Sequence, residues 1–119
     1  MGELEVSTKE DRGVAIVTVD GDVDVSNATR LRDTLDHVLA TGRAHVVVDV
    51  RGVPFMDSTG LGVLVGRMKV VRARRGSIRL VVTAPRMLRV LSITGLDTVF
   101  PLYDTPEDAV ASFGVSASA

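Results

Sequence analysis

The sequence predicts an α/β domain: a mixed, mostly parallel central sheet of four or five strands with about four helices. Short runs of β-branched residues alternate with segments whose apolar residues recur at helical spacing. A tight turn at Asp11-Arg12-Gly13 separates the first two runs, which favours an antiparallel hairpin. The later runs are each separated by a helix, which favours parallel pairing. We expect one domain over residues 1–119.

The first half of the chain is predicted to contain three strands and one helix. The strands cover residues 4–7, 14–19 and 46–50. The third is an apolar run on both faces, the pattern of a central strand covered by helices on each side. The helix covers about residues 28–41, is capped by Ser26 or Asn27 and stops at Gly42.

The second half is predicted to contain three helices and two strands. The second helix covers about residues 59–74, a buried strand covers 78–82, and a third helix begins at Pro85 and ends at Gly95. A short edge strand is expected at 99–102. The last helix begins at Thr105-Pro106 and reaches about residue 113, and the small polar residues 114–119 are expected to be frayed.

Composition excludes several classes of function. With no cysteine, the chain has neither disulfides nor thiolate metal sites, and a cytosolic address fits. A net charge of -1 and 3% aromatic residues argue against nucleic-acid binding. The apolar runs are far shorter than the roughly 20 residues that span a bilayer, so no membrane association is expected.

No metal or cofactor is expected from the titratable residues. The two histidines, His37 and His45, do not form a ligand pair. Asp20, Asp22 and Asp24 cluster before the first helix, but their spacing gives no full ligand set. A solvated turn is the default interpretation, and this acidic loop is expected to lie beside the loop that carries Ser58.

Residues 46–66 carry the most informative pattern: a buried strand, a short loop and a helix that opens on Asp57, Ser58 and Thr59. The Ser58 hydroxyl is expected beside unpaired backbone N–H groups and the positive end of a helix dipole. Adding a phosphate there would change the local charge sharply. Ser58 is therefore a candidate nucleophile, part of a phosphate cradle, or a site of modification.

For two of these interpretations, the chain lacks the other residues that the chemistry requires. A nucleophile elbow needs glycine two positions before the serine, where this chain has Met56, and neither histidine is well placed to act as a base. The phosphate-cradle motifs GxxxxGK[ST] and GxGxxG are absent, and Lys69 is too far along the helix. The hypothesis that remains is a serine that is itself phosphorylated.

Three glycines, Gly60, Gly62 and Gly66, follow within two helical turns. Each costs about 1 kcal/mol relative to alanine inside a helix. Either they leave bare backbone for a partner to approach, or they allow close packing on the sheet. The pattern favours exposure for Gly60 and leaves both interpretations open for the other two.

The segment FMDSTGLGVLVGR (residues 55–67) resembles the signature of bacterial anti-sigma factor antagonists, the single-domain STAS proteins. VTVDGDVDV (17–25) resembles the strand and acidic turn of that family, and ITGLDTVFPLYDTPEDAV (93–110) its C-terminal pattern. The resemblance extends over nearly the whole chain. One departure is Asp22, where the family more often has glutamate.

The resemblance implies a mechanism. The unmodified antagonist binds an anti-sigma factor that is also a serine kinase, which frees the sigma factor, and phosphorylation by that kinase separates the two. A PP2C-type phosphatase restores binding. By position, Ser58 rather than Thr59 is the phosphoacceptor. The implied partner-binding residues are Asp24, Asp57, Ser58, Thr59, Gly60, Leu61 and Gly62.

Other functions remain open. The first is a STAS domain that binds a nucleotide or another small ligand and is never phosphorylated. An enzyme and a scaffold in a larger signalling complex are the others. If the chain is a phosphorylation switch, we expect the charge to act by desolvation and repulsion in the interface, without a large conformational change.

Overall fold

Five strands form one mixed sheet in the computed structural model, which describes residues 3–114. The spatial order follows the chain order: β1 (Glu5–Asp11), β2 (Val14–Asp20), β3 (His45–Gly52), β4 (Ser77–Val81) and β5 (Leu102–Tyr103). β1 and β2 pair antiparallel, and every later pair is parallel. The predicted fold class and strand directions are confirmed.

A two-residue turn closes the β1–β2 hairpin. Arg12 and Gly13 have φ angles of 53° and 84°, and positive values at both positions are those of a type I′ turn. The ladder between the strands runs from Glu5–Asp20 to Asp11–Val14, so β1 extends four residues beyond the predicted end at 7. Cross-strand hydrogen bonding stabilises this polar stretch, which the hydrophobic pattern alone does not identify.

In the described part of the chain, four helices cover the two faces of the sheet: α1 (Ala28–Ala40), α2 (Ser58–Ala73), α3 (Pro85–Ile93) and α4 (Pro106–Ala111). The first three pack on one face, against residues such as Val17, Val48 and Leu80. The short α4 packs on the other face, against Val47 and Val81. Each fully buried valine or leucine contributes about 1.5–3 kcal/mol to folding. The prediction that the central strand is covered on both sides is confirmed.

Two predicted boundaries in the C-terminal quarter are wrong. Residues 99 and 100 do not belong to a strand, because a 3₁₀ turn over Leu96–Thr98 follows Gly95 and the N–H groups of Val99 and Phe100 both donate to the Leu96 carbonyl. The edge strand is β5, which begins at residue 102. The last helix ends at residue 111 instead of 113. The predicted frayed tail falls almost wholly on residues 115–119, outside the described range.

One polar side chain interrupts the apolar central strand. Asp49 is 4% exposed and faces the α4 side, where the Arg51 guanidinium donates to both of its carboxylate oxygens, from Nη2 at 2.8 Å and from Nε at 3.0 Å. The hydrogen bond to Asp49 raises the pKa of Arg51. A buried carboxylate needs such a partner, because desolvation of an unpaired charge is costly.

A stack of three side chains fixes the end of α4. The Phe113 ring lies 4.8 Å from the His45 ring, centroid to centroid, and 4.0 Å below the Arg79 guanidinium carbon. Arg79 Nη1 also donates to the Ser112 carbonyl and hydroxyl, each at 2.6 Å. This contact lies where β3 and β4 begin, the end of the sheet remote from Ser58. Among residues 3–114, no helix is long and apolar enough to cross a membrane.

Candidate functional site

Two loops pair side by side where β2 and β3 end. Gly21 N donates to Gly52 O at 2.9 Å, Val23 N to Phe55 O at 3.0 Å, and Asp57 N to Val23 O at 3.0 Å. These bonds continue the parallel pairing beyond the strands. The prediction that the acidic loop lies beside the Ser58 loop is confirmed, and we call residues 20–27 and 53–60 together the two-loop edge.

Asp57 joins the two loops and caps α2. Its Oδ1 accepts hydrogen bonds from Thr59 N at 2.9 Å and Gly60 N at 3.2 Å, and its Oδ2 accepts from Val25 N at 3.2 Å. An N-cap of this kind contributes about 1 kcal/mol. A residue predicted to contact a partner is therefore also the residue that holds the edge together.

Ser58 is the first residue of α2, one position earlier than the predicted helix start, and it is exposed. Thr59 beside it is exposed as well. Within residues 3–114, neither hydroxyl takes part in a hydrogen bond. Both are therefore accessible at the positive end of the helix dipole, and the geometry does not select one over the other.

Asp24 organises the loop before α1. Its Oδ1 accepts from the Ser26 hydroxyl at 2.5 Å and from Ser26 N at 2.9 Å, and these bonds lower the pKa of the Asp24 carboxyl. Asn27 occupies the predicted N-cap position, but its side chain does not cap the helix. Instead it accepts from Asp24 N at 2.9 Å and donates to Asp22 O at 2.9 Å.

Two residues expected at the partner surface are buried. Gly60 is covered, so the expectation of exposure there is wrong. A β-carbon on Gly60 would lie 2.5 Å from Met56 Cγ and 2.8 Å from Val23 Cγ1, and both of those side chains are buried. Leu61 is also buried in the main core. Glycine at position 60 permits the two loops and α2 to approach each other closely.

Gly62 and Gly66 differ from Gly60. Gly62 is exposed and Gly66 is half-buried, and a β-carbon on either would meet no atom within 4 Å. Close packing on the sheet therefore does not explain these two glycines. Gly62 leaves α2 backbone uncovered near Ser58 and Thr59, and Gly66 leaves it partly uncovered about two turns along the helix from Ser58.

The charged side chains of the two-loop edge are all negative. The edge carries Asp20, Asp22, Asp24 and Asp57, and neither loop contains lysine, arginine or histidine. A depression of about 470 Å³ lies beside it, where Glu3, Asp22 and Asp24 face the single cation Arg30. Residues 3–114 contain no group of three histidine, aspartate or glutamate side chains that could hold a metal ion. The carboxylates that line this depression disfavour the binding of a phosphate there.

Sequence reasoning missed two apolar residues at the edge. Val25 is 76% exposed and Phe55 is 42% exposed, one in each loop. For Val25 the available signal was an isolated apolar residue between polar neighbours in a loop, DVS. Phe55 lies between Pro54 and Met56, so the sequence pattern carries no comparable signal for it. The histidines are elsewhere: His45 lies where β3 begins and His37 lies near the end of α1.

The sequence profile of the STAS domain matches residues 5–109. The chain belongs to the STAS domain family. Curated relatives include the anti-sigma F factor antagonist of Paenibacillus polymyxa, 30% identical with 94% of this chain and 97% of that protein aligned. The anti-sigma-B factor antagonist of Bacillus subtilis is 34% identical, with 90% and 97% aligned.

A solved structure agrees with this assignment. The crystal structure of an anti-sigma factor antagonist from Mycobacterium paratuberculosis superposes with a TM-score of 0.86 at 29% identity, covering 92% of this chain and 93% of that chain. The resemblance drawn from the motifs of this STAS domain is confirmed. The names of these relatives describe antagonists of anti-sigma factors.

Proposed function

We propose that this STAS domain is an anti-sigma factor antagonist controlled by phosphorylation of Ser58. The unmodified form binds an anti-sigma factor with serine kinase activity and so frees its sigma factor. Phosphorylation ends this binding, and a PP2C-type phosphatase restores it. The observation that carries the proposal is an exposed serine at the start of α2, within the family motif and beside the Asp24 loop.

The choice of Ser58 over Thr59 rests on the position of the serine in the DSTGLG motif, because both hydroxyls are exposed. Ser58 lies at the first helical position, where N–H groups and the dipole favour a phosphate. We therefore expect the phosphorylated domain to remain folded. The switch acts on the partner and not on the fold.

The charge of the edge explains why a phosphate would release a partner. A phosphoserine adds about -1.5 to -2 charges next to Asp57, on a surface that already carries four carboxylates. Enclosing that charge in a dry interface without a matching cation costs several kcal/mol. A loss of about 3 kcal/mol weakens binding more than a hundredfold.

A pull-down with three forms of the chain tests the proposal. Ser58→Ala is expected to retain an anti-sigma factor, and Ser58→Asp is expected to lose it. Ser92→Asp is the matched control, since it adds the same charge at an exposed serine of α3, outside the two-loop edge, and it is expected to retain the partner. Equal capture by Ser58→Ala and Ser58→Asp would refute the switch.

Mass spectrometry of the chain after incubation with the captured kinase and ATP identifies the acceptor. Modification is expected in the wild type and in Thr59→Ala and is not expected in Ser58→Ala. Modification that persists in Ser58→Ala would assign the switch to another residue. A wild-type chain that is never modified would support the rival function, a STAS domain that binds a nucleotide or another small ligand.

A further inference from the structure

The edge around Ser58 carries two exposed apolar side chains to which the proposed phosphorylation switch assigns no role. Val25 and Phe55 are exposed to 76% and 42%, one in each of two loops that otherwise present carboxylates and hydroxyls. Single exposed apolar residues are common, but two in adjoining loops at a proposed binding site indicate a contact surface, and we call the pair the apolar patch.

Hydrogen bonds between the loops fix the backbone of both residues. Val25 N donates to Asp57 Oδ2 at 3.2 Å, and the carbonyl of Phe55 accepts from Val23 N at 3.0 Å. Asp57 follows Phe55 by two residues and immediately precedes Ser58. A residue whose backbone is already held in place loses less conformational entropy when a partner covers it, which favours its use as an anchor.

We propose that Val25 and Phe55 are the apolar anchors by which this chain binds its anti-sigma factor kinase, an inference that rests on the proposed function. The kinase surface that fits is an apolar pocket bordered by lysine or arginine side chains. Apolar residues would fill the centre of the contact, and the basic border would face Asp20, Asp22 and Asp24.

This arrangement indicates which part of the contact a phosphate on Ser58 would disrupt. Ser58 adjoins the residue that holds Val25 in place, so a phosphate on Ser58 enters the apolar centre of the contact and not its basic border. There the dianion loses water without gaining a cation. The acids at the border still attract the kinase over longer distances, which promotes encounter by the unmodified form.

Serine substitutions at the two anchors test the inference. The probe is the purified kinase that Ser58→Ala retains and Ser58→Asp loses, and its affinity is measured by titration calorimetry. We expect Phe55→Ser to weaken binding about tenfold or more, and Val25→Ser about fivefold. Both variants are expected to melt within about 3 °C of the wild type, since exposed substitutions change stability little.

Ile93 provides a matched control. It is 77% exposed, as open as Val25, and it is also β-branched. It lies at the end of α3, eight residues and about 12 Å along the helix from its start, and it belongs to neither loop of the two-loop edge. Ile93→Ser is expected to bind the kinase with wild-type affinity.

The outcomes separate the inference from the proposed function. Wild-type affinity in both anchor variants, with Ser58→Asp still released, would overturn the anchors and leave the switch intact. A kinase that does not bind the wild type would overturn the proposed function itself. If sedimentation shows that the wild type dimerises, and the anchor variants lose the dimer but keep the kinase, the apolar patch belongs to a second copy and the inference is wrong.

Discussion

Replacing Gly60 by alanine tests whether the two loops and α2 are packed as tightly as the structure describes. Alanine is the better helix former by about 1 kcal/mol, and Gly60 has a helical backbone that alanine can adopt. Against this gain, the new methyl group would lie 2.5 Å from Met56 Cγ and 2.8 Å from Val23 Cγ1. Both neighbours are fully buried, so neither can move away freely.

The two effects can be compared directly. Overpacking of a well-packed core costs about 1–3 kcal/mol, which exceeds the helical gain. We therefore expect Gly60→Ala to be destabilised by about 1 kcal/mol. In Gly62→Ala and Gly66→Ala the methyl group meets nothing within 4 Å, so the helical gain stands alone and each variant is expected to be stabilised by up to about 1 kcal/mol.

Urea and thermal unfolding of the three variants provide the assay. The free energy of unfolding should differ by about 2 kcal/mol between Gly60→Ala and Gly62→Ala, which corresponds to about 8 °C in melting temperature. The same substitution at sites two residues apart in one helix would thus have opposite signs. If Gly60→Ala is as stable as Gly62→Ala, Met56 and Val23 relax around the methyl group and the packing argument fails.

Three further predictions concern side chains that hold the fold together. Asp57→Ala should lower the urea-derived stability by about 1–2 kcal/mol and Asp57→Asn by much less, because asparagine also caps helices; equal losses would contradict the capping role. Arg79→Ala should speed amide exchange in α4, since the hydrogen bonds and the cation–π contact with Phe113 are lost, and unchanged exchange would count against that anchor. Hydrogen bonds from Ser26, first from its hydroxyl, lower the pKa of Asp24, so the ionised carboxylate stabilises the fold above the usual carboxyl pKa, and this contribution disappears as the pH falls through the lowered value. The stability difference between wild type and Asp24→Asn should therefore shrink below about pH 4, and a pH-independent difference would refute the assignment.

Local pattern and topology together predict much of this fold from sequence. The alternation of β-branched runs and helical segments predicts the strand directions, because a helix between two strands leaves parallel pairing as the natural solution. Ser58 and the neighbouring acidic loop follow from the same rule, since β2 and β3 end at the same edge of the sheet. The motif then identifies the family.

The parts that sequence misses depend on a contact between distant segments in one case and on local hydrogen bonds in two others. Gly60 is buried because Val23 and Met56 meet over it, and the spacing of glycines within α2 contains no information on that contact. Asp49 sits in a run interpreted as apolar because Arg51, two residues later, turns back to pair with it. Val99 and Phe100 suit a strand by composition, but the 3₁₀ turn before them determines their backbone.

The pairing of the two loops also determines what form of the protein an enzyme can recognise. Val25 and Asp57 are 32 positions apart in the chain, and they meet only when the sheet has formed. A short synthetic peptide with the DSTG sequence would carry the acceptor serine without the Asp24 loop, and so short a segment does not hold a helix in water. A kinase that contacts both loops would therefore modify native copies and pass over misfolded ones, even though both carry the same serine.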